Sequence, residues 1–326
     1  MFKTILKSTI ALTLVAGMSG CAISNGTSSS TQKQIGMTLH GVEGNQEKHF
    51  MDIVEELPSI GFVLSDPHEH IDHAYVEKYG STKLDNLGFF SVAHDKKLRK
   101  LLEKYPQIGG FSPFNLHVYK KKTEDMTWVG HVNPEIMLDI VGVTDTAARA
   151  EFISMFKPLD EKILQHMKPT TVNNFMFTTL PAEPMMNFEF DVEGNVEDFV
   201  EEFQEKFEEA FEDKKYIIAG YKNLKENYDD MEVDFAYDAY WVYSLCHFKF
   251  SNSIFNDRPE AGAFAPCSVY MYIKNGKMYV GMPKLENWTN VVGLSDPVKI
   301  KAVKDLDIDV IETFIELGGK QVKVMK

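Results

Sequence analysis

The chain has 326 residues, 44% hydrophobic and 12% aromatic, with a net charge of −14 at neutral pH. That is enough apolar material for real cores in roughly two domains. The acidic balance argues against nucleic acid as a partner and against a chain lying flat on anionic lipid.

The N-terminus opens with Lys3 and Lys7, then an apolar run, Thr9 to Gly17, that is too short to span a bilayer. "MSGC" follows and resembles a bacterial lipobox, with Met18 where leucine is usual and Cys21 as the acylated residue. Residues 1–20 are expected to be a lipoprotein signal peptide, and residues 21–35, rich in Ser and Thr, a flexible tether. Cleavage removes two lysines and no acid, so the mature charge moves to −16. Several acyl chains on Cys21 would anchor the protein stably to a membrane. Ala22 is not the aspartate that often retains lipoproteins in an inner membrane, so the expected place is the outer membrane, facing the periplasm. No later run is long and apolar enough for a transmembrane helix.

Beyond the tether the chain reads as a duplication. Shifted by 153 positions, Phe89–Tyr119 lies without a gap on Val242–Tyr272, with eight of 31 positions identical. The identities include His94/His247, Pro106/Pro259, Gly109/Gly262, Phe111/Phe264 and Pro113/Pro266. "VEGN" recurs at Val42 and Val192, and "VGVTD" at Val141 answers "VGLSD" at Val292, in the same order. Each half starts with a strand and an amphipathic helix; in the second, Phe199, Phe203, Phe207 and Phe211 stand four apart among acidic residues. A strand ("GFVLS", "YIIAG") and a second helix follow. In the first half Asp66 is expected to cap that helix, with Pro67 in its first turn and Glu69 completing the box. Next come the strand ending at His94 or His247, a third helix in the first half, and a hairpin. Asn275-Gly276 is a type I′ turn signal. A long helix closes each half, the second ending at Gly318-Gly319. This pattern predicts α+β: two tandem antiparallel-sheet repeats related by a pseudo-twofold, with helices mainly on one face. The first repeat is expected over 36–167, a linker over 168–184 and the second repeat over 185–326.

The repeated core resembles the family called domain of unknown function 302. Its members read like "GACNP", a short helix, "PEIGLLLPCNVVVYE", a hairpin and "DPEAMLSLVG". "NPEIMLDIVGVTD" (Asn133–Asp145) and "NWTNVVGLSD" (Asn287–Asp296) fit the closing piece. The resemblance implies a TATA-binding-protein-like domain often found as a dimer, here joined as a covalent pseudo-dimer, and it brings no established reaction. The family's frequent cysteines fall on Cys246 and Cys267; the first copy has Ala93 and Phe114 there. Its asparagine falls on His94 or His247, and its proline on Asp95 or Phe248.

The candidate sites follow from these positions. Cys246 and Cys267 can form a disulfide, remain as two buried thiols, or serve with His247 as a redox or metal pair. Cys246 and His247 are neighbours on a strand and point to opposite faces, which argues against a nucleophile and its base. His68, His70 and His73 invite a zinc reading. However, no HExxH is present, the second copy has no histidine there, and an exposed helix start accounts for the pattern. No metal, cofactor or catalytic residue is therefore called, and the chain leans away from an enzyme. The expectation is a lipid-anchored module that binds a small ligand or a periplasmic protein. Its groove between the repeats would be lined by His94, His247, Phe111, Pro113, Phe264 and Pro266. The alternative is a redox or metal-handling protein using Cys246, Cys267 and His247.

Overall fold

The computed structural model describes residues 33–323; Cys21, the signal peptide and most of the tether lie outside them. The first half runs β1 (Gln34–Glu43), α1 (Glu47–Glu56), β2 (Val63–His68), α2 (Ile71–Tyr79), β3 (Leu84–Ala93) and α3 (Asp95–Lys104). It continues with a 3-10 segment (Pro106–Phe111), β4 (Phe114–Lys121), β5 (Met126–Val132), α4 (Pro134–Ile140), α5 (Thr146–His166) and β6 (Thr171–Phe177). The second half repeats the series as β7 (Met185–Asp191), α6 (Val196–Asp213), β8 (Ile217–Asn223), α7 (Leu224–Asp230), β9 (Ala239–Cys246) and α8 (Phe248–Phe255). A 3-10 segment (Pro259–Phe264), β10 (Cys267–Lys274), β11 (Lys277–Pro283), α9 (Glu286–Val291), α10 (Pro297–Glu316) and β12 (Lys320–Gln321) complete it.

The fold is α+β, with two antiparallel six-stranded sheets. The first is ordered β2-β3-β4-β5-β1-β6 and the second, read from its matching edge, β8-β9-β10-β11-β7-β12. Each strand of one half thus has a counterpart at the same place in the other. Helices cover one face of each sheet. Phe50 on α1 packs edge-on against Phe90 of β3, and Phe207 of α6 stacks on Tyr243 of β9. Phe203, Phe207 and Phe211 form the buried stripe of α6, as their four-residue spacing requires. Asp145 and Asp296 cap α5 and α10 by accepting backbone N–H bonds, so the recurring "VGVTD" and "VGLSD" are helix starts.

The opposite face of each sheet is covered by the other half. The 3-10 segment of the first half lies on β10, and that of the second half lies on β4. This is why the middle strands are buried on both faces and read as nearly continuous apolar runs.

Three expectations from the sequence need correction. Asp66 and Pro67 do not open a helix. They belong to β2, an edge strand with a register shift between Leu64 and Pro67, and an edge is where a strand tolerates proline. The helix starts at Ile71 instead, after His70. The 168–184 segment is not a bare linker, because "TVNNFMF" forms β6 and pairs with β1; β1 itself starts inside the expected tether, at Gln34. Between Cys246 and Cys267 lies α8, where "FKFSNSIF" buries Phe250, Ile254 and Phe255.

Candidate functional site

At the junction of the halves the duplicated segments meet. A Cβ at Gly109 would lie 2.7 Å from the Tyr270 Cβ, and one at Gly262 would lie 2.6 Å from the His117 ring, so each 3-10 segment touches the facing sheet through bare backbone. Equivalent donors also cross the junction. Asn115 Nδ2 donates to the Gly262 carbonyl at 2.6 Å, while Ser268 Oγ, 153 positions later, donates to the Pro113 carbonyl at 3.1 Å. Phe111, Pro113, Phe264 and Pro266 do converge here, with Trp288 and Cys267, but the space between them is about 20 Å³. That is room for about one water molecule. The expected groove is filled because the two halves interlock.

His94 and His247 are not brought together. Each precedes a helix inside its own half and packs edge-on against an aromatic ring, His94 on Phe62 and His247 on Tyr216, with centroids 5.3 and 5.2 Å apart. His247 Nδ1 accepts the Phe250 N–H as a helix cap, whereas His94 makes no such bond and its buried Nδ1 has no partner. Burial lowers the pKa of both histidines.

Cys246 and Cys267 are free thiols. The β9–β10 register sets Leu245, not Cys246, opposite Cys267. Burial pushes the Cys246 thiol up to about 11, and the Ser251 hydroxyl offsets that only in part. Burial, with the charges of Cys246 and Asp307, holds Cys267 higher still. The space beside Cys246, His247 and Cys267 is also about 20 Å³.

A roomier and more polar site lies on the first sheet beneath α5. It is a cleft of about 390 Å³ lined by Thr38, His40, His131, Glu135, Lys157 and Asp160, among others. Thr38 sits opposite His131 in the β1–β5 pairing, so His40, two residues on, is the diagonal neighbour of His131 on the same face. The buried His131 donates from Nε2 to Asp160 at 3.0 Å and from Nδ1 to the Val132 carbonyl at 2.8 Å. Burial alone would lower its pKa, but the hydrogen bond and charge of Asp160, together with Val132 and Glu135, outweigh burial and raise it. The half-buried His40 shifts the other way. Burial lowers its pKa, His131 pushes it further down, and the charge of Asp160 offsets only part of this. Its Nδ1 is buried with no partner. The two imidazoles at the cleft floor are therefore shifted in opposite directions.

Of the three histidines in "DPHEHIDHAY", His68 is committed elsewhere, donating from Nε2 to the Ala219 carbonyl of the other half at 2.6 Å. His70 and His73 do come together, with their rings stacked at 4.6 Å and the buried Asp72 between them in sequence.

Residues 192–313 match the family model described as "Domain of unknown function DUF302". The second half carries a DUF302 domain. A solved structure titled as that of an uncharacterized conserved protein DUF302 from Bacillus stearothermophilus is similar to 40% of this chain and 94% of its own, at 21% identity and a TM-score of 0.31. No curated protein matches the chain.

The cleft lies in the first half, outside the stretch matched as a DUF302 domain. Sequence reading missed it. His40 and His131 are 91 residues apart and only strand pairing joins them, and Asp160 arrives on a helix that follows both. The available signal was a histidine in each of two otherwise apolar strands, "MTLHGV" and "WVGHV".

Proposed function

We propose that this protein is a lipoprotein of the bacterial envelope, anchored through acylated Cys21 and facing the periplasm. In this reading its halves are tandem copies of the DUF302 domain, and the first binds a small polar ligand in the His40–His131–Asp160 cleft. The anchor is supported by the lipobox-like "MSGC" and the Ser/Thr-rich stretch after it; no described helix is long and apolar enough to cross a membrane. The duplication is supported by identical strand order and by hydrogen bonds across the junction from donors 153 apart, Asn115 and Ser268.

The binding role rests on one observation. The cleft combines ligand-sized space with a buried acceptor or donor, His40 Nδ1, that the protein leaves unpaired. Such a group costs free energy unless something meets it. The test follows the His40 and His131 imidazole signals by NMR during titration with amino acids, small sugars and short carboxylates. Saturable shifts of both are expected with at least one of these classes, and Ile153→Trp, which fills the cleft, should abolish them. A panel that moves neither signal would sink the reading.

A redox role for Cys246, Cys267 and His247 has less support, since thiols held far above neutral pH are poor nucleophiles and the space around them admits no substrate.

A further inference from the structure

The turn between β2 and α2 carries a second unassigned cluster, independent of the cleft. His70, Asp72 and His73 place one ligand-type atom each within 4.8 Å of one another. His70 Nδ1 lies 4.0 Å from Asp72 Oδ1, and His73 Nε2 lies 3.6 Å from Asp72 Oδ2. His70 holds a left-handed backbone (φ 51°), a conformation that costs energy outside glycine. From there its Nε2 donates to Glu47 of α1 at 2.8 Å. That bond places the proton on Nε2 and leaves the buried Nδ1, 4.0 Å from the carboxylate, with a lone pair and no hydrogen-bond partner. The carboxylate is held in turn, since Asp72 Oδ1 accepts the Leu87 N–H at 3.0 Å.

We propose that His70 Nδ1, Asp72 and His73 Nε2 form a binding site for a divalent late first-row transition-metal ion, with Glu47 as the outer partner that orients His70. Two imidazoles and one carboxylate suit zinc and its neighbours, and leave a coordination position for water. A carboxylate behind a ligating histidine is the usual outer support of such sites. Asp72 and Glu47 supply two negative charges, which a divalent ion neutralises and which offset the positive end of α2. Tetrahedral bonds of about 2.0–2.1 Å set ligand atoms roughly 3.3 Å apart, so atoms that now lie within 4.8 Å of one another must draw together on binding. His73 supplies the movement: its side chain is 73% exposed, and its ring, stacked 6° from parallel with His70, needs only to turn its lone pair inward.

The experiment titrates the purified full chain with Zn²⁺ by calorimetry and with Co²⁺ by visible absorption. One saturable site is expected, with d–d bands of nitrogen and oxygen ligation. His73→Ala and His70→Ala should each weaken binding at least tenfold, Glu47→Gln by about 10–100-fold, and His68→Ala should leave it unchanged. Because His73 is exposed, its variant tests the site without disturbing the core, whereas Asp72→Ala would also orphan Leu87 N–H. Absence of saturable binding, binding that survives His73→Ala and His70→Ala, or a thiolate-to-cobalt band placing the ion on the cysteines would each overturn the proposal.

Discussion

The two halves share a strand order and a mode of contact, yet they differ in where they carry titratable side chains. At the place where β10 presents Tyr270 to a glycine of the other half, β4 presents His117. Where β5 presents His131 to the cleft, β11 has the apolar Met282, sixth in a strand of the same length. Tyr75 and Tyr228, also 153 apart, each lean on a helix of the opposite half, donating to Ser251 Oγ at 2.8 Å and to the Asp95 carbonyl at 2.9 Å. At those same helix starts, however, one half has Asp95 in an ion pair and the other has Phe248 stacked on Tyr79 and tilted against Tyr75. Agreement between the halves marks shared contacts at the junction, and several of the differences place a charged or titratable side chain in one half only.

The largest way to break this comparison is at Asp95. Lys222 Nζ, from β8 of the second half, sits 2.7 Å from its carboxylate, and both side chains are more than 90% buried. Asp95→Ala leaves a buried lysine unpaired and should cost about 3–5 kcal/mol in chemical denaturation. Asp95→Leu with Lys222→Met, which replaces the buried pair by apolar side chains, should recover most of that loss.

His117 gives the next effect. It is fully enclosed, its ring nitrogens facing the carbonyls of Gly88 and Pro259 at 3.0 and 2.8 Å, and burial lowers its pKa from 6.5 to about 4. The unfolded chain therefore binds this proton first as pH falls. The stability His117 provides is complete above pH 6.5 and is lost down to about pH 4, on the order of 3 kcal/mol. His40, His94 and His247 add in the same direction. His131, shifted upward, acts in the opposite sense: its contribution is present below pH 6.5 and fades as pH rises through its raised value. Asp307, which burial raises from 3.8 to about 6, also opposes the loss toward acid. The His117 effect is therefore read by comparison: between pH 7 and 4, denaturation midpoints should fall less for His117→Gln than for the unchanged protein.

Gly109→Ala and Gly262→Ala should each cost about 1–3 kcal/mol by overpacking the junction. Comparable losses from the two would support equivalent roles; a neutral result at either would show that this side of the junction yields. The smallest effect concerns the thiols. With Cys246 held at about 11, a thiol reagent at pH 8 should label the folded protein slowly and the unfolded protein at once.

Most of the fold was legible because its signals are local. The Phe199–Phe211 spacing, the Asn275-Gly276 turn and the Gly318-Gly319 helix stop each depend on a few neighbouring residues. Internal repetition then arranged those pieces into two like sheets. The errors occurred where long-range pairing overrides local preference, as at Asp66-Pro67 in an edge strand and at Thr171–Phe177 completing a sheet. The groove between the repeats was misjudged for a related reason. Sequence showed that Phe111, Pro113, Phe264 and Pro266 recur, but not that each segment fills the space left by the other. The cleft was hidden because its three polar groups meet only after β1, β5 and α5 assemble.

That the two histidines of the cleft floor are shifted in opposite directions is the central claim, and a residue-resolved NMR pH titration of the histidines tests it most directly. His131 should titrate above 6.5 and fall when Asp160→Asn removes its partner, while His40 titrates below 6.5. A His131 that titrates at or below the ordinary value, indifferent to Asp160→Asn, would contradict the account.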